Sequence, residues 1–491
     1  MRKITHLFGF VSRALPAGGR PSAGDAQMRT YLFPGLIVAL LCGCAGVSQA
    51  PYQRPDAPAK TAWSNPPGAT VSAAEAISPQ WWREFRDPAL DSLVTRAVAG
   101  NFDLKLLAAR IDVANAQIAE VRAGALPTVD VGAGSNLEKT TRQRFSKSFN
   151  LGTQVSWDLD IWGQTSKGVQ AQTAEFRASE SDWRAGYLTL VASVSTTYFQ
   201  ILQLDEQLER QRAALTKNRQ ILTIYETMHR NGLAPDTQVM RQRAEINRLT
   251  KDELELRRSR TVSENALATL VGVPAGELKV SPGRLQERVQ APVVPAGLPA
   301  DLLTRRPDVV AAEFRVLSSH NLVGQAKLAQ LPSVSLTGRG GTAAFSLGDL
   351  LKSFTFGLLP SVNLPVFNPG IKARIATTEA QTKVFENDYK RTVIAAYEEV
   401  ENALVNLDAH RRQHDELRMQ VQHLERVAAH TEVQLAAGLI SQLEVFETER
   451  SLLAAQLEVL LSHQQLLSDT VTLYKALGGG WTPTEVANAR D

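Results

Sequence analysis

Residues 148–162 read SFNLGTQVSWDLDIW, and alternate positions of this stretch differ in character. One set is largely apolar and includes Phe149 and Trp157, whereas the other is polar or glycine and ends in Asp158 and Asp160. Because successive side chains of a β-strand point to opposite faces, the pattern predicts a strand with one apolar and one polar wall. A transmembrane barrel strand needs about 9–11 such residues, but half-buried strands of soluble sheets alternate too. The stretch alone leaves both possibilities open.

Three further stretches alternate in the same way, at about residues 128–138, 333–341 and 353–366. A short basic loop joins the first of them to residues 148–162, which predicts a hairpin. The other two lie close together in the chain and predict a second hairpin. The sequence therefore contains four amphipathic strands in two pairs.

Very long helices follow each hairpin. Residues 163–230 contain no proline, and apolar residues recur every seven positions, as in a coiled coil. A helix over residues 164–230 would be roughly 100 Å long at about 1.5 Å per residue. It ends at the Asn-Gly-Leu-Ala-Pro sequence of residues 231–235, and a second helix is predicted over residues 236–271.

The whole pattern occurs twice. Each half reads as a helix, a hairpin, a very long helix, a glycine turn and a half-length helix, and Gly232 and Gly438 take equivalent places. We expect the first repeat to span residues 81–281 and the second to span residues 299–481. An irregular linker at residues 282–298 separates them, and a tail follows at residues 482–491.

The strands set the expected assembly. Four strands cannot close a barrel, and open sheet edges are not tolerated in lipid. Eight strands leave an interior filled by side chains, so a symmetric trimer is the smallest assembly with an open lumen. The predicted fold is therefore mainly α with a transmembrane β-barrel, built from an internally duplicated protomer. A homotrimer would form a 12-stranded β-barrel continued by a 12-helix α-barrel tunnel.

Composition and motifs exclude other classes. The formal net charge of the 491-residue chain is +3, which gives no strong field for nucleic acid. No Gly-x-Ser-x-Gly elbow, phosphate-binding loop or clustered acid pair occurs in a suitable context, so we expect no enzyme and no cofactor apart from the lipid described next.

The N-terminus has the pattern of a lipoprotein signal. An apolar run at residues 31–41 is too short for a membrane helix but fits the core of a signal peptide. It ends in Leu-Cys-Gly-Cys, which resembles the lipobox of bacterial lipoproteins, in which cleavage after Gly43 leaves Cys44 as a lipidated N-terminus. We expect a signal peptide over residues 1–43, with Met28 as a second plausible start.

The residues after Cys44 bear on destination. Ala45 stands where an aspartate is typical of inner-membrane retention, so the outer membrane is the implied site. Residues 44–80 are rich in Pro, Ala and Ser and predict an extended, lipid-anchored tether.

Several motifs together resemble those of the TolC-like outer-membrane efflux channels, and specifically of their NodT-type lipoprotein branch. Besides the lipobox, the matching stretches are Tyr-Gln-Arg-Pro at residues 52–55, Trp-Arg-Glu-Phe at 82–85, Asp-Pro-Ala-Leu at 87–90, Leu-Pro-Ala-Asp-Leu-Leu at 298–303, Arg-Arg-Pro-Asp-Val at 305–309 and Leu-Tyr-Lys-Ala-Leu-Gly-Gly-Gly-Trp at 473–481. The resemblance covers roughly residues 44–481.

The resemblance implies a homotrimeric exit duct of a tripartite efflux system. Such a duct spans the outer membrane, crosses the periplasm and docks on a periplasmic adaptor protein and an inner-membrane RND-type pump. It would conduct drugs, small toxic compounds or metal ions passively. The alternatives are a type I protein-secretion duct, which has the same architecture, and a periplasmic adaptor lipoprotein, which would carry only one helical hairpin.

Candidate site residues lie at the predicted periplasmic end. The glycine turns are helix caps, and the resemblance adds that they form the rim touched by adaptor hairpins; the expected contact positions are Asn231, Gly232, Leu233, Gly438 and Leu439. The resemblance also implies acidic residues at the pore constriction. The candidates for that gate are Asp415, Glu425 and Glu432.

Histidines cluster before the second turn, at His410, His414, His423 and His430. The first two are one helical turn apart, a spacing that suits a metal pair. No cysteine is near, however, and Asp415 does not share their face. We therefore expect solvated histidines and no metal site.

Overall fold

The computed structural model describes residues 49–64, 77–139, 145–294 and 302–479. The chain divides into two units, residues 1–51 and 52–491, and the second unit holds every element discussed below. The predicted signal peptide, Cys44 and the predicted tail lie outside the described residues.

The elements follow the duplicated order that the sequence predicts. The helices of the first half are α1 (Pro88–Gly100), α2 (Phe102–Ala123), α3 (Gln164–Arg230) and α4 (Asp236–Val271), with strands β1 (Thr128–Glu138) and β2 (Ser146–Leu159) between α2 and α3. Two short helices, α5 (Leu285–Arg288) and α6 (Leu302–Arg305), lead into the second half. That half consists of α7 (Pro307–Leu328), β3 (Ser333–Ala344), β4 (Thr355–Asn363), α8 (Pro369–Ala436) and α9 (Gln442–Ala476).

The two predicted hairpins join into one antiparallel sheet with the order β1-β2-β3-β4. The register pairs Asp130 with Gln154 and Gln154 with Arg339, so polar positions of neighbouring strands share one face. Apolar positions such as Val129, Trp157 and Phe356 lie on the other face. The predicted alternation is thereby confirmed, and each wall runs across all four strands.

The end of β2 differs from the sequence-based expectation. The strand ends at Leu159 and not at Trp162, so Asp160, which was predicted to end the polar wall, lies outside the strand. Its carboxylate instead accepts hydrogen bonds from the backbone N–H groups of Thr165 (3.0 Å) and Ser166 (2.9 Å) in the first turn of α3. An acid at that place satisfies N–H groups that have no partner within the helix.

The first half begins with two helices and not with the single helix that was predicted, because α1 and α2 are separate. Asn101 interrupts them in an extended conformation, and its side chain accepts a hydrogen bond from the Leu104 N–H (2.9 Å). The break also serves packing, since a Cβ on Gly100 would lie 2.2 Å from the Val271 carbonyl oxygen. The backbone of α1 therefore meets the end of α4 directly.

In the core, residues from near the beginning and near the end of the second unit pack against each other. Trp81 stacks on Tyr474 with ring centroids 5.0 Å apart, and Phe85 packs against Phe199 at 5.1 Å. The buried Tyr198 hydroxyl donates to Asp87 at 2.6 Å. Phe85, Asp87 and Tyr474 belong to the motifs on which the resemblance rests, so these motif residues are explained by packing and not by chemistry.

The Arg-Pro-Asp motif of the second half is also structural. The Arg306 guanidinium lies 2.6 Å from Asp308 and 2.8 Å from Glu399 of α8, and it donates to the Ala476 carbonyl at the end of α9 (3.1 Å). It therefore ties α7, α8 and α9 together.

Residues 52–64, which fall in the predicted tether, are not free. Arg54 pairs with Glu313 of α7 (2.7 Å), Lys60 pairs with Glu401 of α8, and Trp63 is buried against Tyr397. Residues 52–64, here called the strap, therefore pack on helices of the second half. The predicted tether is therefore packed on the helices over these residues, because their charged and aromatic side chains find partners there.

No helix among the described residues combines the length and the apolarity that a membrane span requires.

Candidate functional site: helical hairpin tips and the sheet wall

The turns at the ends of the two helical hairpins have the same geometry. Gly232 and Gly438 adopt left-handed conformations, with φ of +74° and +70°. The N–H of Leu233 donates to the Met228 carbonyl, and the N–H of Leu439 donates to the Gln434 carbonyl. Both are Schellman-type caps, in which glycine accepts a φ that strains other residues.

The leucine after each glycine is strongly exposed. In such a cap the residue in this place usually packs against the preceding helical turn. Here Leu233 is 72% and Leu439 is 74% exposed. The caps explain the glycines, but they leave two apolar side chains in solvent at equivalent places of the two hairpins.

The three candidate gate acids lie on α8 but at different heights. Asp415 and Glu432 are 17 residues apart, which corresponds to about 26 Å along a helix. Asp415 and Glu425 are exposed and make no ion pair within the described part of the chain. The Glu432 carboxylate lies 3.2 Å from Lys217 Nζ of α3.

Lys217 links the two hairpins. It contacts Glu432 of α8 and also Glu449 of α9, and these acids raise the pKa of its ammonium group against the opposing effect of burial. A cavity of about 770 Å³ lies beside this bridge, between α3, α4 and α9. Tyr225 and Phe446 line it, with their ring centroids 6.2 Å apart. Nothing in the heptad pattern singles out Lys217, so sequence reasoning missed it.

The polar wall of the sheet is lined by small and charged residues. Gly132, Gly152 and Gly341 form one row across β1, β2 and β3, next to the row that contains Asp130 and Arg339. A concavity of about 780 Å³ lies over these rows. A wall with few side chains in this region leaves space for solvent or solute.

The prediction that the histidines of α8 are solvated is wrong for two of them. His410 Nδ1 lies 2.5 Å from the Asp469 carboxylate of α9. The His414 ring lies 5.5 Å from that of His463, also on α9. Burial, together with the charges of His414 and Arg418, lowers the pKa of His463 to about 4. His423 and His430 are exposed as expected.

His463 escaped sequence reasoning because it stands alone on α9, far in sequence from the cluster on α8. Antiparallel pairing of the two helices brings it next to His414. The sequence reveals this pairing only when positions are counted outwards from Gly438 along both helices of the hairpin.

The duplicated hairpins and the amphipathic sheet define a class of protein. The family model "Outer membrane efflux protein" matches residues 93–273 and again residues 298–479. This chain belongs to that family.

Particular relatives match over nearly their whole length. The chain is 30% identical over 433 residues to the pyoverdine export outer membrane protein OpmQ of Pseudomonas putida, covering 85% of this chain and 91% of the relative. It is 29% identical to the cation efflux system protein CusC of Escherichia coli, covering 92% and 98%. The open-state outer membrane channel MtrE of Neisseria gonorrhoeae has a similar structure, with a TM-score of 0.79 at 26% identity, covering 88% and 98%.

Proposed function

We propose that this chain is the outer-membrane exit duct of a tripartite efflux system. In this function it conducts small molecules or ions that a periplasmic adaptor and an inner-membrane pump deliver. The relatives are named for pyoverdine export and for cation efflux, so their cargoes differ while the fold stays the same. The observation that carries the proposal is the sheet, because among the described residues both of its edges are unpaired and its strands β2 and β4 lead into the two long helical hairpins.

The sheet edges support a ring of identical copies. Among the described residues β1 and β4 each pair on one side only. Three successive antiparallel pairings make β4 antiparallel to β1, so β4 of one copy can pair with β1 of the next in the same manner. Exposed edges are otherwise templates for aggregation. Three copies give a closed barrel of twelve strands, with the polar wall inside and the apolar wall towards lipid.

The helices support the same assembly. Only six of the 68 residues of α8 are buried, against 23 of the 67 residues of α3. Exposed apolar residues of α8 include Val384, Ile394 and Val405. Faces of this kind on a long helix are suited to burial against neighbouring helices, which the adjacent copies would supply.

The hairpin tips are the proposed adaptor contact. Asn231, Gly232 and Leu233 form one tip, and Gly438 and Leu439 form the other. The exposed leucines provide an apolar anchor that the caps themselves do not need. A partner with a complementary apolar groove would bury both.

The gate proposal concerns Asp415, Glu425 and Glu432. In a trimer each acid would occur three times at its own height. The pore would therefore carry several rings of acids at different heights rather than a single ring. The bridge from Glu432 to Lys217 supports a role for this level in holding the second hairpin against the first.

Membrane anchoring is proposed through Cys44. Two or more acyl chains anchor a protein stably, whereas a single chain binds reversibly. Radiolabelled palmitate should label the wild-type chain, and the Cys44→Ser variant should show no label. Persistent labelling of the variant would contradict the assignment.

The duct function is tested in a host that lacks its own outer-membrane efflux channels. Expression of the chain with a cognate adaptor and pump should restore resistance to a toxic pump substrate. The double variant Leu233→Asp/Leu439→Asp should fail to restore it while reaching the outer membrane in normal amounts. Full resistance with the double variant would show that the tips do not contact the adaptor. Failure of the wild type to restore resistance would contradict the duct function.

A further inference from the structure

Two histidine rings lie close together between the helices of the second helical hairpin. The ring centroids of His414 on α8 and His463 on α9 are 5.5 Å apart, with 30° between the ring planes. The Nδ1 atoms of both rings are buried and have no hydrogen-bond partner. A buried polar atom without a partner is destabilising, so a ligand that engages both nitrogens would remove a penalty as it binds.

Imidazole nitrogens are ligands of transition-metal cations. Metal–nitrogen bonds to histidine are about 2.0–2.1 Å long in zinc sites, and rings this close allow one ion to reach a nitrogen of each. Because the histidines stand on different helices, an ion held by both would connect α8 to α9.

The surroundings restrict the coordination number. The described residues contain no group of three or more His, Cys, Asp or Glu placed to hold a metal. Asp469 is already engaged by His410 (2.5 Å) and by Gln465 (3.0 Å). Zinc sites are almost always built from three or four protein ligands, so a pair of nitrogens suits an ion that accepts two ligands.

The charged side chains around the two rings restrict the charge of the ion that the site can bind. The Arg418 guanidinium acts electrostatically on both rings, and Asp415 offsets it at His414 only. A second positive charge on the ion would increase repulsion from Arg418. The site therefore favours a monovalent over a divalent cation.

We propose that His414 and His463 form a two-coordinate site for a monovalent d¹⁰ cation, Cu(I) or Ag(I). The site belongs to the second hairpin alone. Counted from the glycine turns, its residues correspond to Leu208 and Arg257 in the first hairpin, which offer no such pair. The site does not depend on the proposed duct function, because both ligands come from one chain.

Equilibrium dialysis of the purified full-length protein in detergent against Ag⁺ tests the site, with bound silver measured by elemental analysis. Silver is the probe because it does not change oxidation state in air. The wild type should bind one more Ag⁺ per chain than His463→Gln, and His414→Gln should lose the same ion. Two variants on different helices guard against a folding defect in either, and circular dichroism checks both.

Matched controls come from the same helix. His423→Gln and His430→Gln remove exposed histidines and should bind as much silver as the wild type. Because background binding to methionine is common to all these proteins, the difference between them isolates the pair. Zn²⁺ at the same concentration should show no difference between the wild type and the His463→Gln variant.

Three outcomes overturn the proposal. The first is equal Ag⁺ binding by the wild type and both site variants. The second is an equal loss in the His423→Gln control. The third is a zinc difference as large as the silver difference, which would show that the site is not selective for a monovalent ion.

Discussion

The hairpin α3–α4 and the hairpin α8–α9 have nearly the same length and the same turn, yet their long helices are packed differently. The long helix α3 contacts α7, α4, α2 and α9 and buries residues along much of its length. The equivalent helix α8 packs mainly on α9 and α7, and the strap of residues 52–64 adds contacts. Duplication has preserved the path of the chain but not the environment of its helices. The first hairpin is held by its own chain, whereas the second leaves surface for other contacts.

The largest effect on stability should come from a substitution in the more buried helix, α3. Ile201 of α3 is fully buried, so Ile201→Ala should lower the free energy of unfolding by about 2–5 kcal/mol. Ile394 of α8 is 51% exposed within the chain. Ile394→Ala should leave the unfolding of the chain nearly unchanged and weaken the association of copies.

Denaturation in detergent followed by circular dichroism measures the first quantity, and the temperature at which the oligomer dissociates on a semi-native gel measures the second. Equal effects of both substitutions on unfolding would show that the two helices do not differ as described.

Removing the strap contact should have the next largest effect. The Glu313 carboxylate is 1% exposed and is paired with Arg54. Burial raises the pKa of Glu313, and the ion pair opposes that shift. Arg54→Ala leaves a buried acid without its partner and should cost about 2–4 kcal/mol, with partial exposure of Arg54 limiting the loss.

The same denaturation experiment checks this value, with Arg83→Ala as the control. Arg83 pairs with Asp91 at the surface, so its removal should cost less than about 1 kcal/mol. A strap variant as stable as this control would show that residues 52–64 contribute nothing to the second half.

The turns should respond equally, because their geometry is the same in both hairpins. Gly232→Ala and Gly438→Ala each place a side chain at positive φ, which costs about 1–2 kcal/mol. A Cβ would meet no atom within 4 Å at either position, so strain alone is tested. Hydrogen exchange in the last helical turns should increase by a similar factor in both variants. A response in only one turn would break the equivalence of the hairpins.

The bridge between the hairpins should contribute least to stability. Lys217 is 49% exposed in its pairs with Glu432 and Glu449, so Lys217→Ala should change the free energy of unfolding by less than about 1 kcal/mol. If the bridge holds the second hairpin against the first, single-channel conductance in planar bilayers should nevertheless rise. Lys251→Ala, which removes another exposed ion-paired lysine, is the control. Unchanged conductance in Lys217→Ala would remove the bridge from the gate.

The sequence predicted most of the fold, because alternation and heptads are local patterns that repeat. The bounds of β1, α3 and α4 agree with those predictions. The break at Asn101 was missed because its cause is tertiary: Gly100 meets the end of α4, which lies far along the chain. The strap was missed for the same reason, since its partners Glu313 and Glu401 are more than 250 residues away.

The site was predicted less completely than the fold. The glycine turns were found because glycine at a helix end has a conformational signature. The exposure of Leu233 and Leu439, the contact of Lys217 and the pairing of His414 with His463 depend on how helices pack side by side. No local pattern contains that information.

The central claim is that copies of this chain complete the sheet, and their number can be measured directly. Native mass spectrometry of the protein, extracted from membranes in detergent, should give one species with the mass of three chains. That result would match a barrel of twelve strands with every edge paired. A monomer or a dimer as the only species would contradict the account, since β1 and β4 would then remain without partners or enclose too narrow a lumen.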